Sequence, residues 1–437
     1  MLRFVFEDTA NHLNLIEANI LRDAKENNFR YNQSPISNDI NDLWNVNREL
    51  HQKYNPKVFN LNKRPRKYII PIGLNESPNE WASGYDPKTE EINKDFIFSV
   101  LSDEYIKDLR NGRAFLLLDS SLEGYHEDWA FKYIHIQCNN YNISPDRVIL
   151  VTGNILLEQQ YEKWCKKNKP NTEPSICCIG YPHFLYEVQK NAWSRKYVDY
   201  ADLITYEDHI KYKEEATNNI KLFSCTNKRP RPHRVWLYKD LVNANLVDKA
   251  VLSMSKFDPE EEYKEGAIKL KKTELRTIVD DLPLEPYGVS LDSKPTTYFI
   301  NRFNEKHSLD SWVNVVSEAR YYDGENTIFL SEKIFKAIAL EQPFIIVGNK
   351  GSLKALQELG FKTFNDFFDE SYDERNYKER IPAVVKLLQS IDKIEDKISW
   401  YKSMEEVLKH NTEHLTKFVK RSKNVYFDKL IKHYYNA

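Results

Sequence analysis

The stretch WVNVVSEARYYDGENTIFLSEKIFKAIALEQPFIIVG, residues 312–348, decides the fold class of this chain. It opens and closes with apolar, β-branched runs of the length of a buried strand, at 312–318 and 343–348. Between them a helix is predicted from Ser331 to Leu340, because serine is a good N-cap and apolar residues recur on one helical face. Two apolar strands joined through a helix are typical of a parallel sheet that is covered on both faces.

The same alternation of strands and helices extends outward from this stretch. Towards the N-terminus, strands are predicted at 2–6, 68–72, 96–100, 114–118, 147–151 and 175–179, with helices at 128–139 and 155–167. Closer to the quoted stretch, strands are predicted at 221–224, 250–254 and 297–301, with a helix at 233–243. This order predicts an α/β fold of two facing, doubly wound (Rossmann-like) domains that bind ligands beyond the carboxyl ends of their strands.

Composition along the chain sets the predicted domain boundaries. A length of 437 residues suits two domains. Residues 206–219 hold few large apolar side chains and are interpreted as a linker. The linker separates a first α/β domain at 1–205 from a second at 220–385, and residues 386–437 are predicted to form C-terminal helices.

The overall composition excludes several classes of protein. Hydrophobic residues make up 41% and charged residues 29% of the chain, which excludes a disordered protein, and a net charge of -2 excludes a polyanion binder that acts through bulk charge. The five cysteines are odd in number and lack C-x-x-C spacing, which favours reduced thiols and a cytoplasmic location. The apolar runs are far shorter than the roughly 20 residues of a membrane span, so no membrane-spanning helix is predicted.

The first candidate site is the segment FSCTNKRPRPHR, residues 223–234, where a predicted strand gives way to a helix. Pro232 suits the first helical turn, so the segment places basic side chains beside free N–H groups and the positive end of a helix dipole. Such an arrangement binds phosphate. Asn227, Arg231 and Arg234 are its candidate ligand-binding residues, and a solvated basic turn is the structural alternative.

The second candidate site is the start of the helix that Ser331 caps. Glu332 and Lys333 lie in its first turn. A carboxylate there can accept two hydroxyl groups of a ribose, and a lysine can reach a phosphate as a point charge. The structural alternative is that Glu332 only complements the helix dipole. Neither candidate site matches a P-loop or a G-x-G-x-x-G fingerprint.

Residues 312–348 resemble the nucleotide-sugar half of GT-B glycosyltransferases, especially the α1,3-fucosyltransferase-like group. The resemblance lies in three motifs: VVSE, which ends a strand at Glu318; LSEK, which starts a helix like the family's TEK; and LEQPFII at 340–346. It implies that Glu332 holds the ribose and Lys333 contacts the diphosphate of a nucleotide sugar. It also implies an upstream diphosphate-binding arginine, which matches Arg231 or Arg234.

The resemblance extends over about residues 220–365 and implies a GT-B architecture and a glycosyltransferase. The donor would be a nucleotide-diphosphate sugar, with no other cofactor, and the C-terminal helices would pack back on the first domain. Two positions depart from the family pattern: Ser331 replaces the TEK threonine, and Gln342 replaces the glycine before the proline. We expect a metal-independent transfer, because no D-x-D motif occurs and the His410 and His414 pair favours a solvated helix face. We also expect the transfer to be inverting.

The proton acceptor is predicted on the segment LLLDSSLEGYHEDW, residues 116–129. This segment leaves a buried strand and carries Asp119, Glu123 and His126, and an inverting transfer needs a group that takes the proton of the acceptor hydroxyl. Glu123 and Asp119 are the candidate catalytic residues; Asp119 alternatively caps the next helix. The segment VTGN, 151–154, is predicted to line the acceptor side.

Two other functions stay open at this stage. A non-catalytic module could bind a nucleotide or a glycan on the same scaffold. A DNA-binding protein could use the basic segments at 64–67 and 228–234 on one surface. The acceptor of a transferase could be a surface glycan or a hydroxymethylated base in phage-type DNA, and a DNA acceptor would require base flipping.

Overall fold

A computed structural model gives the fold of the chain. It describes residues 3–5, 57–59, 66–73, 89, 97–99, 101–121, 124, 128–168, 175–186, 188, 203–216, 219–227, 230–254, 264–265, 268–269, 305–321, 327–421 and 425–436. The chain forms two compact units, of which the first comprises Met1–His183 with Val419–Ala437 and the second comprises Phe184–Phe418. Among the described helices, none combines the length and apolar character needed to cross a membrane.

The first unit is built on a six-stranded parallel sheet. Its strands are β1 (Arg3–Val5), β2 (Lys57–Phe59), β3 (Tyr68–Gly73), β4 (Ala114–Ser120), β5 (Val148–Thr152) and β6 (Cys177–Gly180). Its helices are α1 (Asp103–Arg110), α2 (Asp128–Asn140) and α3 (Leu157–Asn168), with a short 3-10 helix at Pro145–Arg147. Every residue of β4 and β5 is buried, as expected for a parallel sheet covered on both faces.

The prediction of a strand at 96–100 is wrong for the residues that the structure describes there. Residues 97–99 form bends and a turn, although Ile97 and Phe98 are almost fully buried. They belong to the same apolar cluster as Tyr105 and Leu109 of α1. A short apolar run can be buried as a loop as readily as a strand, because periodicity alone does not separate the two. The strand predicted at 297–301 lies outside the described residues.

The second unit is built on a four-stranded parallel sheet. Its strands are β7 (Lys221–Thr226), β8 (Ala250–Ser253), β11 (Ser311–Ser317) and β12 (Phe344–Val347), and β9 (Lys264–Glu265) pairs with β10 (Ile268–Lys269) as an antiparallel ribbon. Its helices are α4 (Tyr206–Glu215), α5 (Pro232–Asn243), α6 (Glu305–Leu309), α7 (Glu332–Ala339), α8 (Ser352–Glu358), α9 (Tyr377–Asp392), α10 (Lys397–Ser403) and α11 (Glu405–Arg421), with 3-10 helices at Val247–Lys249 and Ser371–Glu374. The chain is thus an α/β protein with two parallel sheets.

The order of the strands in the second unit creates a topological switch point. The order is β12-β11-β7-β8, so the chain leaves β7 towards β8 on one side and returns to β11 on the other. In doubly wound sheets, ligands bind between the loops that follow two neighbouring strands whose connections run in opposite directions. The binding site lies at the carboxyl ends of those strands. The candidate site of this unit is therefore expected after β7 and β11.

The prediction that residues 206–219 form a linker is wrong, because α4 occupies most of this stretch and packs one face against the rest of the second unit. Thr205 and Asp208 form a capping box at the start of α4. Lys213 is fully buried, and its Nζ lies 2.9 Å from the carbonyl oxygens of Leu309 and Ser311. Burial lowers the pKa of Lys213 to about 7. The stretch resembles a linker in composition because two of the three side chains that α4 buries, His209 and Lys213, are polar.

The predicted C-terminal helical region divides between the two units. The division falls within α11, after Phe418, so residues 386–418 belong to the second unit. The last helix, α12 (Val425–Asn436), belongs to the first unit. Lys429 Nζ donates a hydrogen bond to the Cys178 carbonyl oxygen at 2.8 Å, and the Tyr434 hydroxyl donates one to the Lys67 carbonyl oxygen at 2.6 Å.

Gly180, at the end of β6, lies where the surrounding backbone leaves no room for a side chain. A Cβ at this position would lie 2.4 Å from the Asn154 carbonyl oxygen and 2.6 Å from that of Ile155. Both are backbone atoms, so we expect Gly180→Ala to lower the free energy of unfolding by about 3 kcal/mol or more, as overpacking does. Urea denaturation measures this loss.

Gly112→Ala is the matched control for Gly180→Ala. Gly112 has a φ of +71°, but the nearest atom to an added Cβ is 3.7 Å away. We expect a loss of only about 1–2 kcal/mol from the left-handed backbone. Equal losses in the two variants would show that the backbone of residues 154–155 moves away at little cost.

Candidate functional site

Residues that follow β7 and β11 meet at the switch point of the second unit. The register of the two strands is fixed by three residue pairs: Lys221↔Ser311, Phe223↔Val313 and Ser224↔Asn314. Continuing that register places Asn227 opposite Ser317, and Glu318 follows directly. We call the following residues the switch-point cluster: Asn227, Arg231, Arg234, Ser317, Glu318 and Ser331–Lys333.

Asn227 is held at the end of β7 by its backbone. Its N–H donates a hydrogen bond to the Ser253 carbonyl oxygen at 2.8 Å, which extends the pairing of β7 with β8. The residue is 5% exposed, and its Nδ2 donates a hydrogen bond to Cys225 Sγ at 3.4 Å. Within the described part of the chain, Asn227 Oδ1 has no hydrogen-bond partner.

The start of α5 carries the two predicted arginines. Arg231 occupies the N-cap position and is half-buried, and Pro232 is the first helical residue. Arg234 is 4% exposed, and its Nη2 donates hydrogen bonds to the carbonyl oxygens of Ser317, at 3.2 Å, and Glu318, at 3.1 Å. The guanidinium group of Arg234 therefore ties the start of α5 to the end of β11. That Arg234 contacts a diphosphate stays a prediction.

Next to Arg234, the side chain of His233 makes a second connection between the start of α5 and the segment that follows β11. Its Nε2 lies 3.0 Å from the Glu318 carbonyl oxygen, to which it donates a hydrogen bond. Its ring stacks on Tyr321, with ring centres 5.3 Å apart and planes 8° from parallel. The backbone at Glu318 is thus held by two side chains of α5.

The side chain of Glu318 joins β11 to the start of α7. It is fully buried, its Oε1 accepts the Ser331 N–H at 3.1 Å, and its Oε2 accepts the Ser331 hydroxyl. Burial raises the pKa of Glu318, and the nearby Lys333 ammonium group opposes this effect. The acidic residue that follows β11 therefore fixes the N-cap of the helix that carries Glu332 and Lys333.

The first turn of α7 presents a carboxylate and an ammonium group side by side. Ser331 Oγ caps the helix by accepting the Lys333 N–H at 3.4 Å, and Lys333 Nζ lies 2.9 Å from Glu332 Oε1. The Lys333 side chain is 30% exposed and that of Glu332 is 7% exposed. Burial acts to raise the pKa of Glu332, but Lys333 and Lys336 outweigh it and lower that pKa. The carboxylate is therefore ionised and can accept hydroxyl groups.

One residue that supports the cluster was not predicted from the sequence. Arg380 of α9 is fully buried, and its Nη1 donates hydrogen bonds to the carbonyl oxygens of Gly348, at 2.7 Å, and Tyr321, at 3.0 Å. It connects the end of β12 to the segment after β11. Nothing local in the sequence distinguishes Arg380 from the exposed basic residues of the same helix, because its partners are distant carbonyl groups.

The candidate catalytic residues of the first unit are placed only in part. Asp119, in β4, is fully buried and its Oδ1 accepts the Ser121 N–H at 2.9 Å, the arrangement of an Asx turn. Glu123 and His126 lie outside the described residues. In the segment 151–154, Asn154 Oδ1 accepts the Leu156 N–H at 3.0 Å, and its Nδ2 donates to Gln160.

His410 and His414 lie on α11 and each contacts a backbone carbonyl group. Their Nε2 atoms lie 3.2 Å from the Gly360 carbonyl oxygen and 2.8 Å from the Leu359 carbonyl oxygen. Both rings are half-buried, so the interpretation as a solvated helix face is wrong: they bind the C-terminal end of α8. The described residues include no group of three or more histidine, cysteine, aspartate or glutamate side chains placed to hold a metal ion. Metal independence stays a prediction.

The switch-point cluster can bind a phosphorylated ligand through its chemistry. It combines a partly exposed ammonium group at a helix start, an ionised carboxylate beside it and a half-buried arginine at a second helix start. Comparison of the chain with models of known protein families and with curated proteins finds no match.

Proposed function

We propose that the protein is a GT-B-like glycosyltransferase that moves a sugar from a nucleotide-diphosphate sugar to an acceptor hydroxyl group. The observation that supports it most is a continuous chain of hydrogen bonds at the switch point. It runs from Arg234 to the Glu318 backbone, from the Glu318 side chain to Ser331, and from Ser331 to Lys333. Two helix starts that are remote in sequence are thereby held at one edge of the sheet.

Each group of the cluster has a role in this proposal. Lys333 binds the diphosphate, because a positive charge at the start of a helix favours an anion. Arg231 supplies a second positive charge from the start of α5. Glu332 accepts the ribose hydroxyl groups, and Arg234 is a positioning residue that acts through the Glu318 backbone. The same cations stabilise the charge of the departing nucleoside diphosphate.

The transfer itself requires a base near the acceptor. The acceptor oxygen forms a bond to the anomeric carbon, the bond from that carbon to the diphosphate oxygen breaks, and a base takes the acceptor proton. Asp119 is buried and engaged in a turn, so we assign the base to Glu123 on the basis of its place in the sequence. The acceptor class is a surface glycan or a hydroxymethylated base of DNA.

A non-catalytic binding module is the second candidate. The engagement of Asp119 with Ser121 favours it, because this interaction removes one of the two predicted carboxylate bases from solvent. A module of this kind would bind the nucleotide sugar with the same cluster but release it unchanged. Measuring free nucleoside diphosphate after incubation with nucleotide sugars and candidate acceptors separates the two functions.

Lys333→Ala tests the donor site directly. We expect the dissociation constant of the bound nucleoside diphosphate to rise roughly tenfold or more, because a charge-assisted hydrogen bond contributes about 1.5–3 kcal/mol. Isothermal titration calorimetry against GDP, UDP, ADP and CDP, and against their sugar conjugates, measures the change. Lys354→Ala is the matched control, since Lys354 is an exposed lysine of the neighbouring helix α8. A wild-type chain that binds none of these ligands contradicts the proposed function. Equal affinities in all three proteins contradict the assignment of Lys333 to the donor site.

A further inference from the structure

Two buried oxygen atoms at the switch point lack hydrogen-bond partners. They are Oδ1 of Asn227 and Oγ of Ser317, and among the described residues neither finds a donor or an acceptor. The two residues are 5% and 3% exposed. A buried polar atom without a partner is unfavourable in the free protein, so its retention at a ligand-binding edge points to a partner that the ligand supplies.

The register places these two side chains together. Residue pairs of β7 and β11 keep one constant offset, and continuing it sets Asn227 opposite Ser317 on neighbouring strands. Side chains opposite each other in a parallel sheet point to the same face, about 4.8 Å apart along the hydrogen-bonding direction. Ser224, which pairs with Asn314, lies an odd number of residues before Asn227. Because successive side chains of a strand point to opposite faces, Ser224 points to the other face.

The chemistry of the two atoms selects the ligand group. Asn227 Oδ1 accepts hydrogen bonds only, so it repels phosphate oxygens, whereas Ser317 Oγ can both accept and donate. Two neighbouring hydroxyl groups meet this requirement, because one can donate a hydrogen bond to Asn227 and the other can exchange one with Ser317. Sugar rings flank the diphosphate directly in a nucleotide sugar, and Arg234, which contacts the Ser317 carbonyl oxygen, links this pair to the diphosphate-binding elements.

We propose that Asn227 and Ser317 form a subsite that binds two neighbouring hydroxyl groups of a sugar ring of the nucleotide sugar. This subsite rests on the proposed function and adds specificity to it. The ring is either the ribose of the nucleotide or the sugar that is transferred; the chemistry is the same, and the ligands used in the test separate the two.

Ser317→Ala is the main test, because it removes one unpartnered oxygen and leaves the packing nearly unchanged. In the absence of ligand we expect the melting temperature to stay the same or to rise by about 2–4 °C. The dissociation constant should rise roughly tenfold, the effect of one lost hydrogen bond to a ligand hydroxyl. If the ribose occupies the subsite, affinity for the nucleoside diphosphate itself falls. If the transferred sugar occupies it, only affinity for the nucleotide sugar falls.

Asn227→Leu and Ser224→Ala complete the set. Asn227→Leu should weaken the same ligand as Ser317→Ala. Ser224 also has a buried, unpartnered Oγ, so Ser224→Ala should match Ser317→Ala in its effect on melting temperature while leaving affinity unchanged. If the wild-type protein binds the nucleotide sugar and Ser317→Ala and Asn227→Leu bind it with the same affinity, the subsite is contradicted. The proposed function is not contradicted by that result. A clear drop in the melting temperature of ligand-free Ser317→Ala also overturns it, because the hydroxyl would then have a structural partner. A wild-type chain that binds no nucleotide sugar overturns the proposed function as well.

Discussion

Arg380→Ala is expected to lower the free energy of unfolding by about 3–5 kcal/mol, because three carbonyl groups lose hydrogen bonds from a charged donor. The guanidinium group is fully buried and donates hydrogen bonds to the carbonyl oxygens of Tyr321, Gly348 and Arg375. It also lies over the Tyr321 ring, 4.9 Å from its centre. Without it, three carbonyl groups lose a donor, and urea denaturation followed by circular dichroism measures the loss.

The matched control for this variant is Arg375→Ala. Arg375 is exposed and lies just before α9, so its removal should change the free energy of unfolding by no more than about 0.5 kcal/mol. Arg380→Lys should recover only part of the loss, because an ammonium group cannot reproduce the planar geometry of a guanidinium group. If Arg380→Ala and Arg375→Ala unfold at the same urea concentration, Arg380 does not hold the end of β12.

The second large effect is a dependence of stability on pH that Glu370 creates. Burial raises the pKa of Glu370 to about 7 from its ordinary value of 4.5, and the Phe364 N–H, which Glu370 accepts at 2.8 Å, opposes the rise. A carboxyl group whose pKa is higher in the folded than in the unfolded protein binds more protons when folded. Its stabilising contribution is therefore complete below about pH 4.5 and is lost as the pH rises to about 7.

Glu370→Gln removes this loss while keeping an oxygen that accepts the Phe364 N–H. The variant should match the wild type near pH 4.5 and exceed its free energy of unfolding by about 3 kcal/mol above pH 8. Asp373, whose pKa burial raises to about 6, acts in the same direction in both proteins. Urea denaturation at about pH 5 and about pH 8 measures the difference, with the exposed Glu358→Gln as control. A constant difference at both pH values contradicts the prediction.

Local patterns were sufficient to predict much of the second unit. The strands predicted at 221–224 and 250–254 are confirmed as β7 and β8, and the helix predicted from Ser331 is confirmed as α7. Apolar periodicity and capping residues act over a few positions, so one sequence contains them in full. The helix α4 was not predicted, because its buried face carries the polar residues His209 and Lys213. Their hydrogen bonds go to carbonyl groups about a hundred positions away in the sequence.

The candidate site was predictable as a set of residues but not as a set of contacts. The sequence places Arg234, Glu318, Glu332 and Lys333 at strand and helix ends. That Arg234 donates to backbone carbonyl groups, and that the Glu318 side chain holds Ser331, depends on the order of the strands. The partners of Arg380 depend on the same order, which pairing rules restrict but local sequence does not specify.

The strand order at the switch point also affects how the chain matures during synthesis. β7 ends at Thr226, but β11, its partner at the centre of the sheet, begins only at Ser311. At roughly 5–20 residues per second, a ribosome leaves the β11-facing edge of β7 unpaired for on the order of ten seconds. An open apolar strand edge invites pairing with other chains. Strong overexpression should therefore favour aggregation of nascent chains at this edge. Slower translation beyond β11 would reduce this aggregation little, because β11 has by then been synthesised.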